Sequence, residues 1–421
     1  MQAAGTPDTP GQPLWLDAEF ARVVEFARGA RLETGGFGWL GDDGVPVPDE
    51  AVHTWITARM THVFALAHLR GLPDTAPLAD HGVTALTGLL RDGEHGGWYT
   101  SVKRHGRNTP LELAGQPASF GKRAYDHAFV VLAASSAAAA GRPGADELLA
   151  DVLETVERRF WSEPESACVE TWSLDWEWRD PAYRGANSNM HFVEAFLAAA
   201  DVTGDDRWLR RALRIAQKLV DGHARANGWR LVEHFDGDWR PLPRYNREHP
   251  DDPFRPYGAT VGHWFEWARL LVDLAAALPR PPAWLVEAAV ELFGAGVRDG
   301  WHADGRDGFV YTVDWDGKPV VRARMHWVVA EAVLAAAALR EATGERHYDD
   351  WYRTWWAHAD AFFVDRDRGS WHHELDADNR PSGTVWAGRP DAYHAVQATL
   401  LPRLPASPSA AEALRRGLLA P

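Results

Sequence analysis

The stretch Gly258–Trp267, GATVGHWFEW, sets His263 three residues before Glu266, with Trp264, Phe265 and Trp267 around them. At helical pitch, residues three apart share a face, so the spacing predicts that the imidazole and the carboxylate point the same way. Two titratable groups in an aromatic frame suit proton transfer on a small polar molecule. Working outward, the rest of the chain is built from copies of this pattern.

Six helix-like runs carry a histidine near their start: RMTHVFALAHL, AYDHAFVVLAA, NMHFVEAFLAAA, VGHWFEWARLLVDLAAA, RMHWVVAEAVLAAAA and AYHAVQATLLP. Their histidines, His62, His127, His191, His263, His326 and His394, follow one another at intervals of 63 to 72 residues. Aromatic-rich stretches with Asp-Gly-type turns precede them, at 35–47, 96–106, 168–180, 228–242, 308–320 and 370–382. The third and sixth lack an intact Gly-aromatic opening. Gly/Pro/Asp breaks such as GRPGAD (141–146) and TGER (343–346) end the apolar runs. Second, one-sided helices follow, of which DRWLRRALRIAQKLV (206–220) is the clearest.

Helices apolar all round belong inside, and one-sided helices belong at the surface. Six such pairs at about 65 residues each predict an all-α (α/α)6 barrel. It would have six inner and six outer helices, closure by the C-terminal segment, and hairpin-like loops at the histidine end. An open superhelix is the alternative, but closure explains better why every histidine sits at the same end. The expectation is one catalytic domain, 14–421, after a disordered tail, 1–13.

Composition bounds the function. With Lys+Arg 44 against Asp+Glu 59, the formal charge is −15, which argues against nucleic acid or an anionic membrane as partner. The single cysteine, Cys168, excludes an intrachain disulfide and fits the reducing cytoplasm. MQAAGTPDTPGQP lacks the basic and apolar blocks of a secretion signal. Twenty-two tryptophans exceed what a core needs, so some are expected to stack on sugar rings.

Three histidines have a polar group three residues on: His191 with Glu194, His263 with Glu266, His394 with Gln397. Glu331 follows His326 by five, with Trp327 between them. Trp55 and Arg59 precede His62, Asn187 and Asn189 precede His191, and Arg255 and Tyr257 precede His263. His62 and His127 are expected to be structural, His263 and His394 functional, and the loop residues His302, His372 and His373 solvated. Metal is not expected, since the Glu-x-x-His order of carboxylate metal centres is reversed and no HExxH occurs. Gly-rich phosphate loops and GxSxG are absent, so no cofactor is implied. An inverting glycosidase could draw on Glu266, Glu331 and Asp391, yet histidine is the residue this chain repeats.

WITARMTHVFALAHL (55–69), NSNMHFVEAFLAA (187–199), GATVGHWFEWARLL (258–271), HWVVAEAV (326–333) and GRPDAYHAVQATLLP (388–402) resemble the N-acylglucosamine 2-epimerase superfamily. The resemblance spans nearly everything after Leu14 and is nearest to the bacterial aldose–ketose isomerases of mannose and sulfosugars. It implies a metal-independent, cofactor-free isomerase that converts D-mannose to D-fructose, and also D-lyxose to D-xylulose, through a cis-enediol. C2 epimerisation is the related alternative. The partner would be a free monosaccharide, and the chain a monomer or small homo-oligomer. It further implies His263 and His394 as the proton-transfer pair and Arg59 as the stabiliser of developing negative charge. Trp55, Asn187, His191, Arg255, Trp327 and Glu331 would bind substrate or orient the histidines. On this reading His394 is the C2/C1 base, and His263 is the ring-opening acid tuned by Glu266.

Overall fold

The structure, a computed structural model, describes residues 9–103 and 120–421. Part of the second loop repeat and residues 1–8 of the expected tail lie outside the described residues. The helices fall in pairs: α1 (Pro13–Ala27), α2 (Thr54–Leu69), α3 (Ala76–Thr87), α4 (Ala124–Ala139), α5 (Ala145–Thr155), α6 (Ala186–Thr203), α7 (Arg207–Ala216), α8 (Val261–Ala277), α9 (Trp284–Gly300), α10 (His326–Thr343), α11 (His347–His358) and α12 (Tyr393–Leu400). A short α13 (Ala410–Arg415) follows.

The hydrophobic pattern sorts these helices. Every residue of α2 from Thr54 to Ala67 is buried, whereas α7 buries only the stripe Trp208, Arg211, Ala212, Ile215 and Ala216. The even-numbered helices α2 to α12 therefore form the inner ring and the odd-numbered α1 to α11 the outer one. Each inner helix packs on the next, and α12 packs on both α10 and α2. The fold is an (α/α)6 barrel, and closure excludes the open superhelix. Closure differs from expectation in one respect: the sixth outer helix is the N-terminal α1, which lies against α12. Residues 9–13, assigned to the tail, are docked. Tyr352 donates to the Gly11 carbonyl at 3.0 Å, and a Cβ at Gly11 would meet Trp356 at 2.5 Å. Among the described residues no helix is long and apolar enough to cross a membrane.

Short antiparallel strands stitch neighbouring repeats. Val52–His53 pairs with Ser101–Val102, Tyr183–Gly185 with His234–Asp236, Ala259–Thr260 with Thr312–Val313, and Arg324–Met325 with Glu374–Leu375. Each leading strand runs straight into an inner helix with no side-chain cap. The first helical N–H groups, which lack an intrahelical acceptor, instead donate to a carbonyl one repeat further on. Thr54 donates to Thr100 at 3.0 Å, Ala124 to Glu170 at 2.8 Å, Ala186 to Glu233 at 2.9 Å, Val261 to Tyr311 at 3.1 Å and His326 to His373 at 3.0 Å. Between the sixth and first repeats Arg389 N donates to Leu40 O at 2.7 Å, and Trp39 Nε1 to Ala387 O at 2.9 Å.

Candidate active site

Because strand turns directly into helix, the first turns of the inner helices open on one cup of about 700 Å3, counted to its mouth. His191, His263, His326 and His394 line it, with Trp55 and Arg59 from α2 and Tyr125 from α4. Loops add Phe254, Trp386 and Asp391. Phe254 packs edge-on to Trp386 at 5.2 Å and to Trp55 at 6.1 Å, giving one aromatic wall built from three repeats.

Two histidines share one arrangement. His263 Nδ1 lies 2.9 Å from Glu233 Oε1, and His394 Nδ1 lies 2.9 Å from Glu331 Oε1. Glu233 is 3% exposed and Glu331 fully buried. A buried carboxylate on Nδ1 holds the proton there and leaves Nε2 as the basic nitrogen. Among the described residues neither Nε2 has a partner. Burial holds the His394 ring well below the ordinary histidine value, with the Arg59 charge acting the same way, so it is neutral at pH 7. Trp327 joins the two rings, its centroid 5.2 Å from His263 and 5.7 Å from His394. Gly262 makes room for it, since a Cβ there would meet the indole at 2.2 Å.

The i, i+3 pairing expected within single helices does not occur, which corrects the role given to Glu266 beside His263. Side chains in the first turns lean across the ring, so each carboxylate serves another element. Glu266 on α8 stands 3.6 Å from His191 Nδ1 on α6, beyond hydrogen-bond length. Glu331 on α10 holds His394 on α12. Glu194 accepts from Tyr393 Oη and, at 2.9 Å, from Gln397 Nε2. Burial, with Glu331 nearby, pushes the Glu266 carboxyl well above the ordinary range. Beneath the cup Arg269 reaches Glu331 at 3.3 Å, Asp273 at 3.3 Å and Glu194 at 3.7 Å.

Arg59 sits in an aromatic cage, its guanidinium carbon 4.3 Å from the Phe129 ring centre, 4.8 Å from Tyr393 and 5.0 Å from Trp55. It donates to Asp391 at 3.0 Å and to the Tyr125 hydroxyl at 2.9 Å. Burial opposes its charge, but Tyr125 and Asp391 more than offset that and hold it protonated. Asn187 lines the cup with its Oδ1 unpartnered. Glu331 supports His394 from behind the wall. Arg255 lies outside the lining, over the Tyr183 ring at 4.1 Å and 3.2 Å from the Tyr245 hydroxyl. His373, expected in solvent, is 7% exposed and stacks on His326 at 3.7 Å. His127 has both nitrogens engaged, with Arg123 O at 2.8 Å and Trp98 N at 3.2 Å.

His191, Glu194 and Glu266 offer ligand atoms within 4.8 Å of one another, the spacing a metal would need. Of these, Glu194 already accepts from Tyr393 Oη and Gln397 Nε2 and lies 3.7 Å from Arg269 Nη2.

A sequence model of the N-acylglucosamine 2-epimerase family matches residues 35–398. The chain belongs to that family. Among its members, the D-mannose isomerase of Thermobifida fusca is 56% identical over 401 residues, covering 95% of this chain and 96% of the relative. That of Pseudomonas cannabina pv. alisalensis is 51% identical over 411 residues, covering 96% of each. A crystal structure of a D-mannose isomerase superposes with TM-score 0.83 at 29% identity, covering 92% of this chain and 97% of that one.

In this member of the 2-epimerase family, Tyr125, Glu233, Phe254, Tyr311, His373 and Trp386 complete the site and escape the helix-based reading. Glu233, Tyr311 and His373 share one signal: each is the loop residue whose carbonyl receives the first N–H of an inner helix. Glu233 thereby occupies a repeat position rather than a helical one.

The cup and core also make the fold acid-sensitive. Burial lowers eleven described histidines, six of them fully buried (His62, His127, His191, His326, His373 and His394); His62, His326 and the less buried His358 fall to about 4 and His127 to about 3. Below about 6.5 the unfolded chain takes up protons that the fold refuses, so stability present above that pH is lost as pH falls toward 4. A fully buried ring contributes up to about 1.4 kcal/mol per pH unit across that window. Five carboxyls raised by burial (Asp126, Asp201, Glu266, Asp273, Glu331) act oppositely but are fewer. The expected result is a Tm that drops steadily from pH 6.5 to 4.5 in a calorimetric series. A flat profile would contradict the neutral buried rings.

Proposed function

We propose that the chain is a metal-independent aldose–ketose isomerase converting D-mannose to D-fructose, and D-lyxose to D-xylulose, in the cytoplasm. The observation that carries this is the matched pair of histidines, each with Nδ1 on a buried carboxylate, in one cup with a protonated arginine.

The chemistry follows from these groups. Ring opening needs a proton delivered to the ring oxygen as the anomeric hydroxyl loses one, a task assigned to His263. His394 Nε2 then takes the C2 proton, and the electron pair moves toward O1 to give a cis-enediolate. Arg59 stabilises the anionic oxygen, its charge fixed in advance by Asp391 and Tyr125. The O2 hydroxyl proton passes to the O1 oxyanion, and His394 returns the carbon-bound proton to C1 as O2 becomes the ketone, giving fructose. Trp55, Trp327, Phe254 and Trp386 supply flat faces for the sugar, and Asn187 and His191 polar contacts for its hydroxyls. A glycosidase would need two free carboxylates at the substrate, but Glu331 is tied to His394 and Asp391 to Arg59.

The test is incubation of EDTA-treated protein with D-mannose in D2O. Fructose with deuterium at C1 is expected, diluted by direct return of the original proton. Glucose as sole product would replace the reading with C2 epimerisation. Absence of turnover on any free hexose would overturn it.

Glu233 carries a separate expectation. Glu233→Gln weakens the hold on His263 Nδ1 without emptying the cup, so kcat should fall about 10–100-fold with KM nearly unchanged, a smaller loss than the ~10²–10⁴ of a removed general acid or base. Steady-state kinetics on mannose checks this. An unaltered kcat would remove Glu233 from the mechanism.

A further inference from the structure

The barrel has a second void at its opposite end. The final turns of α6, α8 and α10, together with residues 401–411, enclose about 980 Å3 counted to its mouth. Glu194, Arg269 and Gln397 line this side, so the ion-pair layer under the cup forms the partition between the two spaces. Nothing in the isomerisation uses the far side.

Its chemistry is the reverse of the cup's. Glu194, Asp201, Asp273 and Glu341 face it against one cation, Arg269. That guanidinium is shared among Asp273, Glu331 and Glu194. The inner helices all begin at the cup, so their carbonyl ends converge here, each carrying roughly half a negative charge. Three buried side-chain atoms on its lining residues lack a hydrogen-bond partner: Gln397 Oε1, on a residue 2% exposed, His62 Nε2, on a residue 3% exposed, and Arg269 Nη2, which has Glu194 at ion-pair distance, 3.7 Å. The Gln397 amide nitrogen is spent on Glu194 and His62 Nδ1 on Ser136 Oγ at 2.7 Å. The unspent amide group is therefore an acceptor, and it needs an N–H or O–H donor. The walls between the carboxylates are aliphatic, from Leu197, Leu270, Leu334 and Leu404.

We propose that this void binds a small organic ammonium ion with a short alkyl chain. The ammonium supplies the donor that Gln397 Oε1 lacks and a second positive charge among the carboxylates and helix ends, and the chain lies along the leucines. A bare metal ion fits less well. Among the described residues the one grouping at metal-ligand spacing is His191, Glu194 and Glu266, and the carboxylates of this void are not gathered that closely.

The experiment is calorimetric titration of the intact protein with n-butylammonium chloride in phosphate buffer, which introduces no competing amine. n-Butyrate and n-butanol serve as the charge-reversed and neutral controls. Saturable binding of one equivalent of the ammonium is expected, with none for the controls and no displacement by D-mannose. Glu341→Gln, an exposed change, should weaken it about fivefold, and Asp273→Asn at least tenfold. If Asp273→Asn loses its helical circular dichroism, Glu341→Gln alone decides. The proposal is overturned by absence of saturable binding, by equal binding of butyrate, by displacement with mannose, or by unchanged affinity in Glu341→Gln.

Discussion

His394→Ala should lower kcat on mannose about a thousandfold, the scale of a lost general base, with the helical circular dichroism unchanged. The same substitution at His263 should be comparably severe on mannose, because its ring must open first. A three-carbon aldose separates the two roles, since D-glyceraldehyde has no ring to open. His263→Ala should therefore keep most of its wild-type rate on glyceraldehyde, whereas His394→Ala should be inactive on both. Retention of activity on mannose by either variant would remove it from the assigned role. The Glu331 carboxylate left behind by His394→Ala keeps its Arg269 partner at 3.3 Å, so the loss is kinetic rather than structural.

Arg59→Met should lower kcat about 10²–10³-fold, as expected for removal of a preorganised charge at a developing oxyanion. It should also destabilise the fold by about 3–5 kcal/mol, because Asp391, 6% exposed, is left buried without its counter-ion. The two effects are separable. In Arg59→Met/Asp391→Asn the unpaired charge is gone, so Tm should recover while kcat does not. Arg59→Lys keeps a charge but cannot span Asp391 and Tyr125 together, and should fall between. If the double substitution restored kcat along with Tm, Arg59 would be structural only. Thermal melts and kinetics on the same preparations decide this.

The barrel was legible because its signal is periodic. Histidines at intervals of 63 to 72 residues and apolar runs alternating with one-sided helices survive in a bare sequence. The repeat histidines at the helix starts were legible for the same reason, hence His263 and His394 as candidates, whereas the roles of Arg59, Trp55 and Trp327 came only with the family resemblance. Partners were not. Glu266 stands three residues from His263, and helical geometry makes that pairing natural, yet the ring turns Glu266 toward α6 and brings Glu233 from a loop. Asp391 looked like a free carboxylate until closure set it against Arg59, 332 residues away. His373 looked solvated because its stacking partner, His326, is 47 residues distant in the chain. Contacts of that kind depend on how a ring closes, and no local pattern encodes them.

The exchange of backbone hydrogen bonds between successive repeats also orders the chain in time. Each inner helix waits for the following repeat to receive its first N–H, and α1 waits for α12, the helix that carries His394. During synthesis the apolar face of α1 (Leu16, Phe20, Val23, Val24) therefore stays short of α12, the helix it packs against most, until some 380 residues later, when ring closure and the proposed base His394 arrive in one step. A chain stopped after Gly388 should be trimmed rapidly by protease and bind chaperones rather than persist as a folded, inactive barrel. Pulse proteolysis of that truncation beside the intact chain would show it. The expected consequence of this topology is that a chain unable to close is cleared rather than stored.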